Sequence, residues 1–174
     1  MNVSLVLTVI GDDRPGLVEQ LATAISQHKA NWLGSSMSNL AGKFAGIVCL
    51  SLPDAQLEQL KTALAGLPGL RITSEVSDAI ESKAGGRRLK LSLVGHDRIG
   101  IVREVSQVLA RYAVNVEELS THTASAPMSA AILFHATAEL TASSTLDARA
   151  LTSGLEQISN DLMVDITLDE TIHT

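Results

Sequence analysis

Gly11-Asp12-Asp13-Arg14-Pro15-Gly16 decides how this chain is read, because the chain contains it twice. Val9 to Val18 runs VIGDDRPGLV, and Leu93 to Val102 runs LVGHDRIGIV. Gly95 stands 84 positions after Gly11, and the same offset pairs Asp13 with Asp97, Arg14 with Arg98 and Gly16 with Gly100. It also pairs Asn31 with Asn115 and Ser36 with Ser120. An offset kept over that span is an internal repeat. Two copies are too few to stack as a solenoid, so the reading is two similar domains in tandem.

Around the first copy the elements follow in order. Val3 to Ile10 is a short Val/Leu/Ile run of the kind that forms a buried strand. Asp13 is placed to cap a helix, Pro15 suits its first turn, and Leu17, Leu21, Ala24 and Ile25 share one apolar face. In the last turn His28-Lys29 suit the helix dipole. Two extended runs, Asn31 to Leu40 and Phe44 to Leu52, flank Ala41-Gly42-Lys43 and predict a hairpin. Pro53-Asp54 open a second helix with Leu57, Leu60, Leu64 and Leu67 on one side. Gly66-Leu67-Pro68-Gly69 stop it, and Leu70 to Val76 make a last strand.

The second copy repeats this order. Leu89, Leu91 and Leu93 alternate with polar residues, and Asp97 is placed to cap a helix carrying Ile101, Val102, Val105, Val108, Leu109 and Tyr112. Strands are expected over Asn115 to Thr123 and Met128 to Ala138, an insertion over Thr141 to Thr145, and a helix with Leu151, Leu155, Ile158 and Leu162. Met163 to Leu168 is the final strand. The order βαββαβ predicts an α+β fold of two ferredoxin-like domains, each an antiparallel sheet with both helices on one face. Residues 1–80 form the first domain, the charged, glycine-bearing segment 81–88 a linker, and residues 89–174 the second. Both third strands hardly alternate, which predicts cover on both faces by the other domain, another subunit, or both, and favours a homodimer.

Composition bounds the function. The chain has 174 residues, 45% of them hydrophobic, 2% aromatic, and a net charge of −6, which argues against direct nucleic-acid binding. An RNA-recognition sheet needs stacked aromatics in its central strands, and neither third strand has that pattern. Three or four basic charges near the linker read as solvated residues. Cys49 is the single cysteine, so no internal disulfide forms, and its apolar strand suits a small core residue better than a nucleophile. His28, His96, His122, His135 and His173 show no metal-ligand spacing, and there is no P-loop or Gly-x-Ser-x-Gly elbow. Neither cofactor nor catalysis is therefore expected. Met1-Asn2-Val3-Ser4-Leu5 leads straight into an apolar run with no basic n-region, and no run is long enough to cross a bilayer. A soluble cytoplasmic protein with no membrane contact is the expectation.

Two readings of the repeated loop stand side by side. Structurally, Gly11 and Gly95 allow the strand to turn, Asp13 and Asp97 cap, and Gly16 and Gly100 let the helix start lie close to the sheet. Functionally, free amides at the helix start take an amino-acid carboxylate, while Asp12, Asp13 or Asp97 and the carbonyl of Asn31 or Asn115 take its ammonium group. Asn31 and Asn115 start the strand after the first helix of each copy, and that strand is expected to cross back to the loop end of its sheet.

Asp13-Arg14-Pro15-Gly16-Leu17-Val18, with Leu21 and the Asn31 strand, resembles the ACT domain, a regulatory amino-acid-binding module of this βαββαβ order. Asp97-Arg98-Ile99-Gly100-Ile101-Val102 with Asn115 resembles it too. The resemblance implies ligands held between the loop before the first helix and a neighbouring domain's second strand. By position this means Gly11, Asp12, Asp13, Arg14, Gly16 and Leu17 with Asn31, and Gly95, His96, Asp97, Arg98, Gly100 and Ile101 with Asn115. Ile99 in place of proline and His96 in place of aspartate leave open whether the second mouth takes the same ligand, another, or none. Length and layout resemble the glycine cleavage system transcriptional repressor group. That implies a regulator that senses glycine or a similar small amino acid and acts on a transcription factor protein. A structural interaction module without a ligand is the alternative.

Overall fold

Alternation in Leu5, Leu7 and Val9 puts three buried side chains on one face of the first strand, β1 (Asn2–Asp12), and that face becomes the floor of a core. The computed structural model describes residues 1–78 and 86–168, and the chain divides into two units, Met1–Ser82 and Lys83–Thr174. In the first unit β1 is followed by α1 (Leu17–Gln27), β2 (Asn31–Leu40), β3 (Lys43–Pro53), a 3-10 turn (Asp54–Gln56), α2 (Leu57–Ala65) and β4 (Leu70–Ser77). The antiparallel sheet has the order β2-β3-β1-β4. Leu17, Leu21, Ala24 and Ile25 of α1 and Leu60 and Leu64 of α2 bury their apolar faces against Val48, Leu50 and Leu52. Burial at about 25 cal/mol per Å2 of apolar surface makes this contact the main stabilising term.

The second unit repeats the plan with β5 (Arg87–His96), α3 (Ile101–Arg111), β6 (Asn115–Ser125), β7 (Ile132–Ala142), α4 (Ala148–Glu156) and β8 (Met163–Leu168), in sheet order β6-β7-β5-β8. Both domains are thus ferredoxin-like, as the repeat predicts. Arg87 and Arg88, placed by sequence in the linker, belong to β5, where Leu89 and Leu91 continue the buried alternation. Residues 81–85 of that linker lie outside the described residues.

Several local expectations are corrected. Neither Asp13 nor Asp97 caps a helix: the residue before each helix is a left-handed glycine, Gly16 at φ 88° and Gly100 at φ 90°, with no side-chain cap. The backbone N–H of Asp13 instead donates to the Gly42 carbonyl at 2.9 Å, and that of Asp97 to the Ile132 carbonyl at 2.9 Å, tying each loop to its hairpin. Added Cβ atoms would meet nothing within 3.4 Å at Gly16 or Gly100, so the left-handed φ, not close packing, requires glycine there. Gly11 and Gly95 are the close-packed pair. A Cβ would lie 2.3 Å from the Gly69 carbonyl oxygen at Gly11 and 2.6 Å from Leu162 Cδ1 at Gly95. Gly16→Ala and Gly100→Ala are each expected to cost about 1–2 kcal/mol, the penalty for a left-handed L-residue. Equal denaturation midpoints for variant and parent would contradict this.

The insertion in the second copy lies in its hairpin. Leu5 pairs with Leu50, and Leu89, 84 positions later, pairs with Leu140, which is 90 positions after Leu50. The six added residues form the loop closed by Ala126 N–H donating to the Ala131 carbonyl. Met128 to Ala131, expected as strand, belong to this loop, and Met128 is fully exposed. α4 ends at Glu156, so Ile158 and Leu162 reach the core from the turn that follows it. The third strands also part company. On the face away from the helices β3 presents Ala45, Ile47 and Cys49, whereas β7 presents His135, Thr137 and Glu139. Only β3 is apolar on both faces.

Candidate functional site

Each repeated arginine is held by its own domain. Arg14 Nη2 donates to Gln20 Oε1 at 3.0 Å and to the Pro68 carbonyl at 3.2 Å, and Gln20 Nε2 donates to the same carbonyl at 3.0 Å. The guanidinium thus ties α1 to the turn before β4. Arg98 does the equivalent with Glu104: Nη1 donates to Oε1 at 3.0 Å and Nη2 to Oε2 in a two-pronged pair. This pair raises the Arg98 pKa and lowers that of Glu104 through their hydrogen bond.

The acidic residues also have partners. Asp12 pairs with Lys43, whose hydrogen bond and charge lower the Asp12 pKa, and Asn39 Nδ2 donates to Asp13 Oδ2. In the second loop His96 Nδ1 lies 2.7 Å from Asp161 Oδ2, which also accepts the His96 backbone N–H at 2.8 Å. A carboxylate only accepts, so Nδ1 carries the proton. Ser159 Oγ donates to Asp161 Oδ1. The Ser159 hydroxyl first, then the His96 amide and imidazole, hold the Asp161 carboxyl well below the usual carboxylate range. A depressed pKa gives stability that is present above the unfolded value, near 4, and is lost as pH falls towards the folded value. The melting difference between the parent and Asp161→Asn is therefore expected to be full at about pH 5 and to shrink below about pH 4. A difference independent of pH would contradict it.

The structure does not bring either asparagine to the loop of its own domain. Asn31 pairs with Ser51, and Ser51 with Ser4, at the start of β1. Asp12 is eight residues further along that strand, roughly 27 Å away at about 3.4 Å per residue. Asn115 pairs with Thr141, which pairs with Arg88, eight residues before His96. The helix-to-strand connection enters at the far end of the sheet, which corrects the expectation that it returns to the loop. Leu17 and Ile101 are buried side chains of the core, so only their backbone is available to a ligand.

Sequence reasoning missed Gln20 and Glu104, although they keep the offset of 84. It also missed Asn39, Pro68 and Asp161. A cavity of about 350 Å3 lies away from the loops, on the exposed face of the second sheet, with Lys90, Glu118, Glu139 and Asp165 among its lining residues. Among the described residues no group of three His, Cys, Asp or Glu side chains could hold a metal ion. No helix among them is long and apolar enough to cross a membrane.

Fold and loop together define a class: tandem ferredoxin-like domains that carry an arginine-braced loop between the first strand and first helix of each. The ACT domain model matches residues 4–69 and 87–169, and the chain belongs to the ACT domain family. Among solved structures it is similar to an unknown protein from Galdieria sulphuraria, at 29% identity over 97% of this chain and 99% of that one, with a TM-score of 0.81. It is also similar to a candidate glycine cleavage system transcriptional repressor, at 17% identity over 97% and 98% of the two chains, TM-score 0.69; at that identity the likeness is one of fold. No curated protein matches the sequence significantly.

Proposed function

We propose that this chain is a non-catalytic regulator that senses a small amino acid, glycine or one of similar size, and passes the signal on by protein–protein contact. The observation that carries the reading is the loop built twice in an ACT-domain chain. Each is pinned to its hairpin through Asp13 or Asp97 and braced by Arg14 or Arg98. Such bracing keeps the loop amides in place for a carboxylate before it arrives. In this reading Gly11, Asp12, Asp13, Arg14 and Gly16 form the first mouth, and Gly95, His96, Asp97, Arg98 and Gly100 the second. Asn31 and Asn115, remote from their own loops, serve the mouths of a second copy of the chain, which favours a homodimer. The target is a transcription factor protein in the cytoplasm, and the exposed apolar residues Ile10 and Ile47 on the open face of the first sheet suit such a contact.

A second reading has its own support. Both guanidiniums, the loop carboxylates of Asp12 and Asp13, and Asp161, the partner of the second loop, are engaged within the chain. A purely structural interaction module would look the same. A thermal-shift series with amino acids separates the two, because a ligand that binds only the folded chain raises its midpoint with concentration. Sensing predicts a saturable rise with glycine or a neighbour in size. A flat response to all amino acids, with a protein partner still captured, would favour the structural module.

A further inference from the structure

The two mouths differ at one position that strand pairing makes comparable. Gly11 pairs with Leu70 in the first domain. In the second, β5 and β8 pair as far as Val94 with Met163, so the next step sets Gly95 against Leu162, whose Cδ1 lies 2.6 Å from where a Gly95 Cβ would stand. The residue before each partner is Gly69 in the first copy and Asp161 in the second. At Gly69 there is no side chain, and Arg14 Nη2 lies 3.3 Å from where a Cβ would stand. At the matching place in the second domain Asp161 extends a carboxylate over the loop.

That carboxylate is bound as an anionic ligand would be. Oδ2 accepts both the His96 backbone N–H at 2.8 Å and Nδ1–H at 2.7 Å, and Oδ1 accepts the Ser159 hydroxyl. Three donors converge on one carboxylate at a turn whose sequence in the first copy, Leu67-Pro68-Gly69, offers no acid at all.

We propose that Asp161 is a resident carboxylate that closes the second mouth, taking the amide, imidazole and hydroxyl donors that an amino acid's carboxylate would otherwise meet there; the first domain has no such acid at Gly69, where Arg14 lies instead. The inference rests on the amino-acid-sensing reading for the first mouth. His96 follows from it: in place of Asp12 it supplies an imidazole N–H to the resident acid, where a second carboxylate would repel it. The chain then has one receptive mouth and one closed by its own side chain, so it takes up one amino acid per chain.

The test uses the full chain, with acetate as probe, in the parent, Asp161→Ala and Asp161→Ser. Asp161 is part-exposed in a turn, and either substitution leaves the buried Leu162 in place. Hydrogen exchange is run in sodium acetate against sodium chloride at equal ionic strength. Acetate is expected to raise the stability of the second domain, read by hydrogen exchange in β5 and β7, saturably in both variants and to leave the parent's second domain unmoved. By calorimetry, glycine is expected to bind once per parent chain and twice per variant chain. Equal acetate effects on parent and variants would overturn the inference, as would two glycines per parent chain, and the sensing reading would survive. Selective acetate rescue with no glycine uptake by the parent would leave the resident carboxylate standing and remove the sensing reading.

Discussion

Leu50→Ala is expected to destabilise the first domain by about 2–5 kcal/mol, the range for a leucine removed from a packed core. Leu50 is fully buried on β3, faces Leu5 across the sheet and packs in one cluster with helix residues Leu21, Ile25, Leu60 and Leu64. Alanine leaves a cavity that these neighbours, each fixed by the sheet or a helix, fill only in part. A loss of that size is a large share of the roughly 5–15 kcal/mol that holds a domain folded. The repeat supplies an internal control: Leu140, almost fully buried, faces Leu89 in the same way, and Leu140→Ala is expected to act alike on the second domain. Hydrogen exchange read strand by strand checks this. Loss of protection in β1 and β3 for the first variant and in β5 and β7 for the second is predicted, and a shift below 1 kcal/mol for either would contradict the packing.

Asp13→Ala is expected to weaken glycine binding by roughly tenfold to a hundredfold, the equivalent of losing one charge-assisted hydrogen bond. Asp13 sits where β1 ends, its backbone fixed to Gly42 and its carboxylate oriented by Asn39, and in the proposed reading that carboxylate meets the ligand's ammonium group. Asp97→Ala is expected to leave uptake by the first mouth unchanged, because in the proposed arrangement Asp161 already fills the second. Isothermal titration of the two variants side by side checks this. An unchanged affinity in Asp13→Ala would move the ammonium contact elsewhere, and equal losses in both variants would mean that both mouths bind.

The fold was legible because two independent signals agreed. The offset of 84 set the number of domains, and the alternation in Leu89, Leu91 and Leu93 and the spacing of Leu17, Leu21 and Ile25 set the element types. The site was legible only as far as the offset runs. Gln20 and Glu104, which hold the repeated arginines, keep it and could have been found from it. Asp161 lies beyond the six residues added in the second hairpin, so nothing in the spacing links it to Gly69. The capping role expected of Asp13 fails for a backbone reason: the left-handed Gly16 is the residue that enters the helix, three positions later. Asn31 was misplaced because residue types do not give the end of the sheet at which a strand begins. That depends on the length of α1, which carries the chain back to the start of β1 before β2 opens.

The central claim is that the loop at Gly11 to Gly16 is the mouth of an amino-acid site. Isothermal titration of the intact chain with glycine tests it most directly, with alanine and serine as size controls. The predicted result is saturable binding at one site per chain, weakened as each added group crowds the mouth and weakened by roughly tenfold to a hundredfold in Asp13→Ala. No heat with any of the proteinogenic amino acids would contradict it and leave the two loops as structural braces.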